Sequence, residues 1–82
     1  MGTIKVCFFA HLKERAGQQE VILEIGGPSS VQQMRAGMEE AIPSLKGMTK
    51  RCRIAVNQEF VGEEAVIHAG DEIAFLPPFS GG

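Results

Sequence analysis

The chain ends with the stretch Gly-Asp-Glu-Ile-Ala-Phe-Leu-Pro-Pro-Phe-Ser-Gly-Gly, which occupies residues 70–82. After an initial Gly-Asp turn signal, residues 72–76 are short and mostly apolar, which predicts a buried strand. Pro77 has no amide hydrogen to donate to a neighbouring strand, so we expect the strand to end there. The stretch therefore predicts a domain of residues 1–76 that ends in a central strand, followed by an extended tail of residues 77–82.

The start of the chain carries a second strand of the same kind. Residues 4–10 are almost continuously apolar, which predicts a strand that is buried on both faces. Two such strands, one at each end of the chain, favour neighbouring central positions in one sheet, and a helix between them makes them parallel. Residues 11–17 predict one helical turn that ends at Gly17. Residues 20–25 alternate in polarity and predict a half-buried strand antiparallel to the first.

The main helix is predicted to follow a Gly-Gly-Pro break at residues 26–28. Ser29 and Ser30 are both good N-caps, and a glutamine three residues after each one is placed for a capping box. Pro43 disfavours continuation of the helix beyond residue 42. The apolar residues at helical spacing, which form its buried stripe, are Val31, Met34, Met38, Ala41 and Ile42.

These elements predict an α+β fold in a single small domain, as the length of 82 residues requires. Further strands are expected at residues 53–57 and around Phe60 and Val61, with another short piece at residues 66–67. The expected architecture is a mixed sheet of four or five strands that one main helix covers on one face.

Composition and charge narrow the possible functions. The chain has two His, two Cys, no Tyr and no Trp, and this small set of catalytic groups argues against a self-contained enzyme. Its net charge of −2 argues against nucleic-acid binding, which depends on concentrated basic residues. Lys50, Arg51 and Arg53 form the only basic cluster, which is interpreted as a solvated turn or, alternatively, as a docking patch for an acidic partner. The histidines have no other ligand type at metal-binding spacing, so we expect no metal site.

The sequence also bears on where the protein works. No stretch approaches the length of about 20 apolar residues that a membrane helix needs, and the N-terminus does not resemble a signal peptide. We therefore expect a cytoplasmic protein that does not bind membranes, with Cys7 and Cys52 as free thiols in a reducing compartment.

The Gly81-Gly82 pair at the end of the sequence suggests a specific chemistry. Glycine has no side chain, so this pair can enter a channel that is too narrow for other residues, and it leaves the α-carboxylate open to attack. A carboxylate is a poor acyl donor, but adenylation converts it to a mixed anhydride that a nucleophile can attack. Ordering the tail costs about 1–2 kcal/mol per residue, and Pro77 and Pro78 reduce that cost. The alternative is that the glycines are a frayed tail or the result of an artificial truncation.

With these features, the chain resembles the MoaD-like sulfur carriers, which are the small subunits of molybdopterin synthase and have a ubiquitin-like β-grasp fold. The resemblance covers nearly the whole chain and rests on residues 5–10, residues 55–58 and, most specifically, residues 70–82. Thiamine-pathway sulfur carriers share the fold and the terminal glycines, but they are usually shorter and lack the Pro-Pro tail.

The resemblance implies a division of labour between this chain and its partners. A ubiquitin-activating-like adenylyltransferase would use ATP to adenylate Gly82, and a sulfur donor protein would convert it to a thiocarboxylate. The tail would then enter the large synthase subunit, within a heterotetramer, and donate sulfur to cyclic pyranopterin monophosphate to form the dithiolene. The chain itself would bind no cofactor and would be a non-catalytic subunit of a sulfurtransferase.

The resemblance also implies roles for individual residues. Gly82 would be the covalent carrier and Gly81 would thread the channel. The partner-binding residues around the root of the tail would be Phe75, Pro77, Pro78 and Phe79. Three alternatives remain open: a ubiquitin-like protein modifier, a sulfur carrier for thiamine synthesis or tRNA thiolation, and a β-grasp binding module whose tail is incidental.

Overall fold

The computed structural model describes residues 2–76. The elements in this part of the chain are β1 (Gly2–Phe8), α1 (Ala10–Ala16), β2 (Glu20–Ile25), β3 (Ser29–Ser30), α2 (Val31–Ala41), β4 (Arg53–Val56), β5 (Glu59–Val61), β6 (Val66–Ile67) and β7 (Glu72–Leu76). Short 3-10 helices at Pro43–Leu45 and Thr49–Arg51 fill the connection between α2 and β4. The predicted α+β class is confirmed.

Five of the strands form one mixed sheet in the order β2-β1-β7-β4-β5. The first and last strands are neighbours in its interior and run parallel, with Val6 beside Ile73 and Phe8 beside Phe75. The other three pairings are antiparallel. The prediction that the two ends of the chain form a central parallel pair is therefore confirmed.

Strands β3 and β6 pair to form a second, two-stranded sheet. The sequence analysis did not predict this pairing. Ser29 lies opposite Ile67, and Ser30 lies opposite Val66. Each strand has only two residues, too few for an alternating pattern to mark them.

The core lies between the five-stranded sheet and α2. The fully buried side chains include Ile4, Val6 and Phe8 from β1 and Met38 from α2. The prediction that the first strand is buried on both faces is wrong: Lys5 and Cys7 alternate with the buried residues and are only half-buried. Because the helices cover one face of the sheet, the opposite face, here called the open face, contacts solvent.

One end of each helix is capped at a residue that the sequence predicts. The Ser30 hydroxyl accepts a hydrogen bond from the Gln33 amide (3.1 Å), and the Gln33 side chain accepts one from the Ser30 amide (3.0 Å). This is the capping box, which the sequence analysis left open between two serines. Helix α1 ends at Gly17, whose φ of 75° lies in the left-handed region that favours glycine. Among residues 2–76, no helix is long and apolar enough to span a membrane.

Candidate functional site

The candidate site begins where β7 ends, at Leu76. Leu76 lies opposite Arg53 of β4, and the predicted tail follows directly in the sequence. The tail residues that the sequence analysis singled out lie outside the described part of the chain: Pro77, Pro78, Phe79, Gly81 and Gly82.

Phe75 does not belong to a partner-binding surface, which corrects the sequence analysis. Its side chain is fully buried, and its ring centroid lies 5.8 Å from that of Phe8. Side chains alternate along a strand, so Phe75 points into the core and the next residue, Leu76, points to the open face. The physical role of Phe75 is to pack the two central strands against the helices.

Exposed aromatic residues of the open face lie near the root of the tail. Phe9 is 43% exposed and Phe60 is 52% exposed. Phe9 follows Phe8, the partner of Phe75, so it is placed beside Leu76 at the end of the parallel pair. The guanidinium of Arg53 lies 4.1 Å from the centroid of the Phe60 ring. These four residues, Phe9, Arg53, Phe60 and Leu76, are called the root patch below.

The sequence analysis missed the contribution of Phe9 and Phe60 to this surface. The available signal was strand alternation: once Phe8 is assigned to the core, Phe9 must point away from it. An exposed aromatic beside a cation is a common feature of protein interfaces, where Phe and Arg are enriched. The arrangement suits contact with another protein.

The part of the open face around Lys5 is charged. The Lys5 ammonium lies 3.6 Å from a Glu20 carboxylate oxygen and 3.5 Å from one of Glu72. The attraction of Glu20, followed by that of Glu72, raises the pKa of Lys5. Burial, followed by the charge of Glu72, raises the pKa of the neighbouring Cys7 thiol. Cys7 is therefore held in its protonated, weakly nucleophilic form.

A second cluster of charged groups lies on the helix side of the molecule. Arg35, whose side chain is 13% exposed, contacts the Glu63 carboxylate at 2.5 Å. The same guanidinium donates to the backbone carbonyls of Thr49 and Cys52. It thereby connects α2 to the loops on either side of β4 and β5, which is a structural role.

A shallow groove of about 320 Å³ lies beside this cluster. Its lining residues are Gln32, Arg35, Ala36, Glu39, Thr49, Lys50 and Glu63. The Thr49 hydroxyl donates to Glu39, and this hydrogen bond lowers the pKa of that carboxyl. In residues 2–76, no three side chains of the types that bind metals come together as a cluster.

Comparisons with known proteins bear on both the fold and the site. The model of the ThiS family matches residues 6–82. The chain is 38% identical to the molybdopterin synthase sulfur carrier subunit of Chlamydomonas reinhardtii, over 96% of this chain and 98% of that protein. It is 32% identical to the protein of the same name from Arabidopsis thaliana, over 96% and 82% of the two chains.

Among solved structures, SAMP1 from Haloferax volcanii superposes with a TM-score of 0.86 at 28% identity, over 99% of this chain and all of that one. The fold is thus the ubiquitin-like β-grasp that the resemblance implied. The family match extends through Gly82 and so includes the tail. The resemblance to sulfur carriers is confirmed, and the chain belongs to the ThiS family.

Proposed function

We propose that this chain is the sulfur carrier subunit of a molybdopterin synthase and that Gly82 carries the sulfur. The observation that carries the proposal is the 38% identity to a protein of that name, which extends over 96% of this chain. The family match through residue 82 supports the assignment of the carrier role to the terminal glycine.

The proposed chemistry takes place at the carboxylate of Gly82. This carboxylate attacks the α-phosphorus of ATP on an adenylyltransferase, and pyrophosphate leaves. The outer sulfur of a persulfide on a donor protein then forms a C–S bond as the C–O bond to AMP breaks. A thiol cleaves the S–S bond that still joins this sulfur to the donor, which releases the thiocarboxylate and leaves the thiol and the donor sulfur as a disulfide. In the large synthase subunit, the thiocarboxylate sulfur forms a C–S bond to the side chain of cyclic pyranopterin monophosphate, and a C–O bond of that side chain breaks as the oxygen substituent leaves. Water later cleaves the acyl–sulfur bond and returns the carboxylate.

The folded domain supplies binding rather than acid–base catalysis in this proposal. The root patch lies where β7 ends, so a partner that binds Phe9 and Phe60 also receives the tail. We propose that Pro77, Pro78 and Phe79 extend this interface and that Gly81 enters the narrow part of the partner's channel. The ATP site and the groups that move protons belong to the partners, and two carriers assemble with two large subunits as a heterotetramer.

The proposal is tested by intact-mass spectrometry of the untagged chain after incubation with ATP, the adenylyltransferase and the sulfur donor. We expect one terminal oxygen to be exchanged for sulfur, and the product to support molybdopterin synthesis with the large subunit. A chain that lacks Gly81 and Gly82 should fail at both steps. The control is Gly26→Ala, because no neighbouring atom lies within 4 Å of a Cβ added there. Full synthesis by the shortened chain would contradict the proposal.

A second candidate is a protein modifier that is joined through Gly82 to lysines of other proteins. The similarity to SAMP1 favours it, because a solved relative of that name from Methanosarcina acetivorans is described as a small archaeal modifier protein. Both functions share the activation step, so the product must distinguish them. A Gly-Gly remnant on lysines of other proteins would support the modifier, whereas a thiocarboxylate consumed in molybdopterin synthesis supports the carrier.

A further inference from the structure

Strand β2 forms one edge of the five-stranded sheet, and its outer side has no strand partner within residues 2–76. The amide of Phe8 donates to the Gln19 carbonyl, which sets the phase of the antiparallel ladder between β1 and β2. In such a ladder, alternate residues direct both backbone groups at the partner. Residues 21, 23 and 25 therefore face β1, and residues 20, 22 and 24 direct their amides and carbonyls outward.

Along this edge, an exposed apolar side chain lies between two carboxylates. Ile22 is 64% exposed, the largest exposure among the big apolar side chains of the described residues. It lies on the open face between the exposed Glu20 and Glu24. Proline, a bulge, a covering loop or charged side chains commonly protect an exposed edge, and this six-residue strand contains no proline but carries Glu20 and Glu24. The edge is therefore open to a strand whose charges complement these two carboxylates.

Charge argues against a second copy of this chain as the occupant. Antiparallel self-pairing centred on Ile22 would place Glu20 of each copy opposite Glu24 of the other, which sets like charges in contact. A shift by two residues would place Ile22 opposite Glu24 and lose the apolar contact. Glu20 is partly neutralised by Lys5, but Glu24 forms no ion pair within residues 2–76. The complementary strand therefore carries positive charge.

We propose that the β2 edge binds an extended segment of another protein by strand addition, and that this segment presents basic, apolar and basic side chains at alternate positions. The apolar residue pairs with Ile22, and the basic residues pair with Glu20 and Glu24. The edge lies across the sheet from β5, which carries Phe60, and of the root patch only Phe9 follows the neighbouring strand β1. The chain can thus hold this segment while its tail engages another partner, which adds a binding site to the proposed function.

The test uses a capped peptide, Thr-Lys-Thr-Val-Thr-Lys-Thr, titrated into the isotopically labelled full-length chain. Its sequence is symmetric about valine, so the charges match in either strand direction. We expect chemical-shift changes and slower hydrogen exchange at the amides of residues 20, 22 and 24. A peptide with Glu in place of Lys should bind more weakly, by about two- to fivefold for each lost pair. Equal binding of the two peptides, or shifts confined to other surfaces, would overturn the proposal.

Two variants distinguish strand addition from nonspecific binding of the peptide. Ile22→Pro removes an outward amide that β1 does not use, and we expect at least tenfold weaker binding of the lysine peptide. Glu24→Lys preserves the backbone and should bring the affinities of the lysine and glutamate peptides close together. If Ile22→Pro does not fold, the test rests on Glu24→Lys alone. A Glu24→Lys variant that still prefers the lysine peptide as strongly as the wild type does would reject the proposal. Dimerisation of the free chain through β2 in sedimentation experiments would also reject it.

Discussion

The ring of Phe8 lies against the ring of Phe75, with centroids 5.8 Å apart and planes inclined by 52°. The two residues are neighbours in the parallel pairing of β1 and β7, and both side chains are fully buried. A tilted aromatic pair at this distance contributes about 0.5–1.5 kcal/mol beyond its buried area. The contact joins the first strand of the domain to the last, immediately before the tail.

Phe75→Ala should therefore destabilise the fold. Loss of a buried phenylalanine and the cavity that it leaves cost about 3–5 kcal/mol. The matched control is Phe60→Ala, because Phe60 is 52% exposed and its removal leaves no buried cavity. Urea denaturation of both variants measures the free energy of unfolding. Equal losses in the two variants would show that Phe75 is not a core residue.

On the proposed function, Phe60→Ala should instead weaken binding to the large synthase subunit. Removal of an aromatic anchor from an interface costs about 1–2 kcal/mol, which is a loss of about five- to thirtyfold in affinity. Val66→Ala is the control, because Val66 is also 52% exposed but lies in the separate two-stranded sheet. Isothermal titration calorimetry with the untagged chain measures both affinities. A larger loss for the Val66 variant would place the interface elsewhere.

Arg35→Met should destabilise the domain although Arg35 lies on a helix and contributes no apolar side chain to the core. The substitution leaves the carbonyls of Thr49 and Cys52 without their donor and removes the partner of Glu63. Hydrogen bonds to charged groups contribute about 1.5–3 kcal/mol, and we expect a loss of that size. Arg51→Met is the control, because Arg51 is exposed in the neighbouring 3-10 helix. Thermal denaturation that shifts equally for both variants would contradict the assigned role.

Ser30→Ala should cost more stability than Ser29→Ala. Only Ser30 accepts the hydrogen bond from Gln33 that caps α2, and the loss of an N-cap costs about 0.5–2 kcal/mol. Ser29 is the matched control, with the same side chain one residue earlier in β3. Chemical denaturation of both variants tests the difference. A more damaging effect at Ser29 would show that the cap lies one residue earlier.

Asp71 should make the free energy of unfolding depend on pH in the acidic range. The His68 amide and then the Asn57 side chain donate to its carboxylate, which lowers its pKa from the usual 3.8. A lowered folded-state pKa stabilises the protein above the unfolded-state pKa, and this contribution is lost as the pH falls through the folded-state value. Asp71→Asn retains one acceptor oxygen for the two donors, so it should destabilise the domain at pH 7.

The difference between the wild type and Asp71→Asn should shrink as the pH falls through the lowered folded-state pKa of Asp71, because the carboxylate of the folded wild type becomes protonated there. Urea denaturation at neutral and at strongly acidic pH measures this difference in the free energy of unfolding. A difference that grows on acidification would contradict the assignment.

Several features of this protein were determined by sequence alone, because the interactions behind them span only a few residues. The Ser30–Gln33 capping box and the turn at Gly17 are of this kind. The two apolar strands at the ends of the chain also predicted their own central, parallel pairing, since few strand orders bury both. The terminal glycines indicated the family, which the comparisons confirmed.

Only the tertiary structure decided which face of each strand is covered. Phe75 and Leu76 are adjacent in the sequence and both are apolar. Phe75 packs in the core and Leu76 lies on the open face, because the helices cover a single side of the sheet. The same geometry exposes Phe9 and Ile22 and brings Arg53 onto Phe60. It also brings Arg35 to carbonyls 14 and 17 residues away. Hydropathy reports that a side chain is apolar, but its burial depends on strand register and on contacts that are distant in the chain.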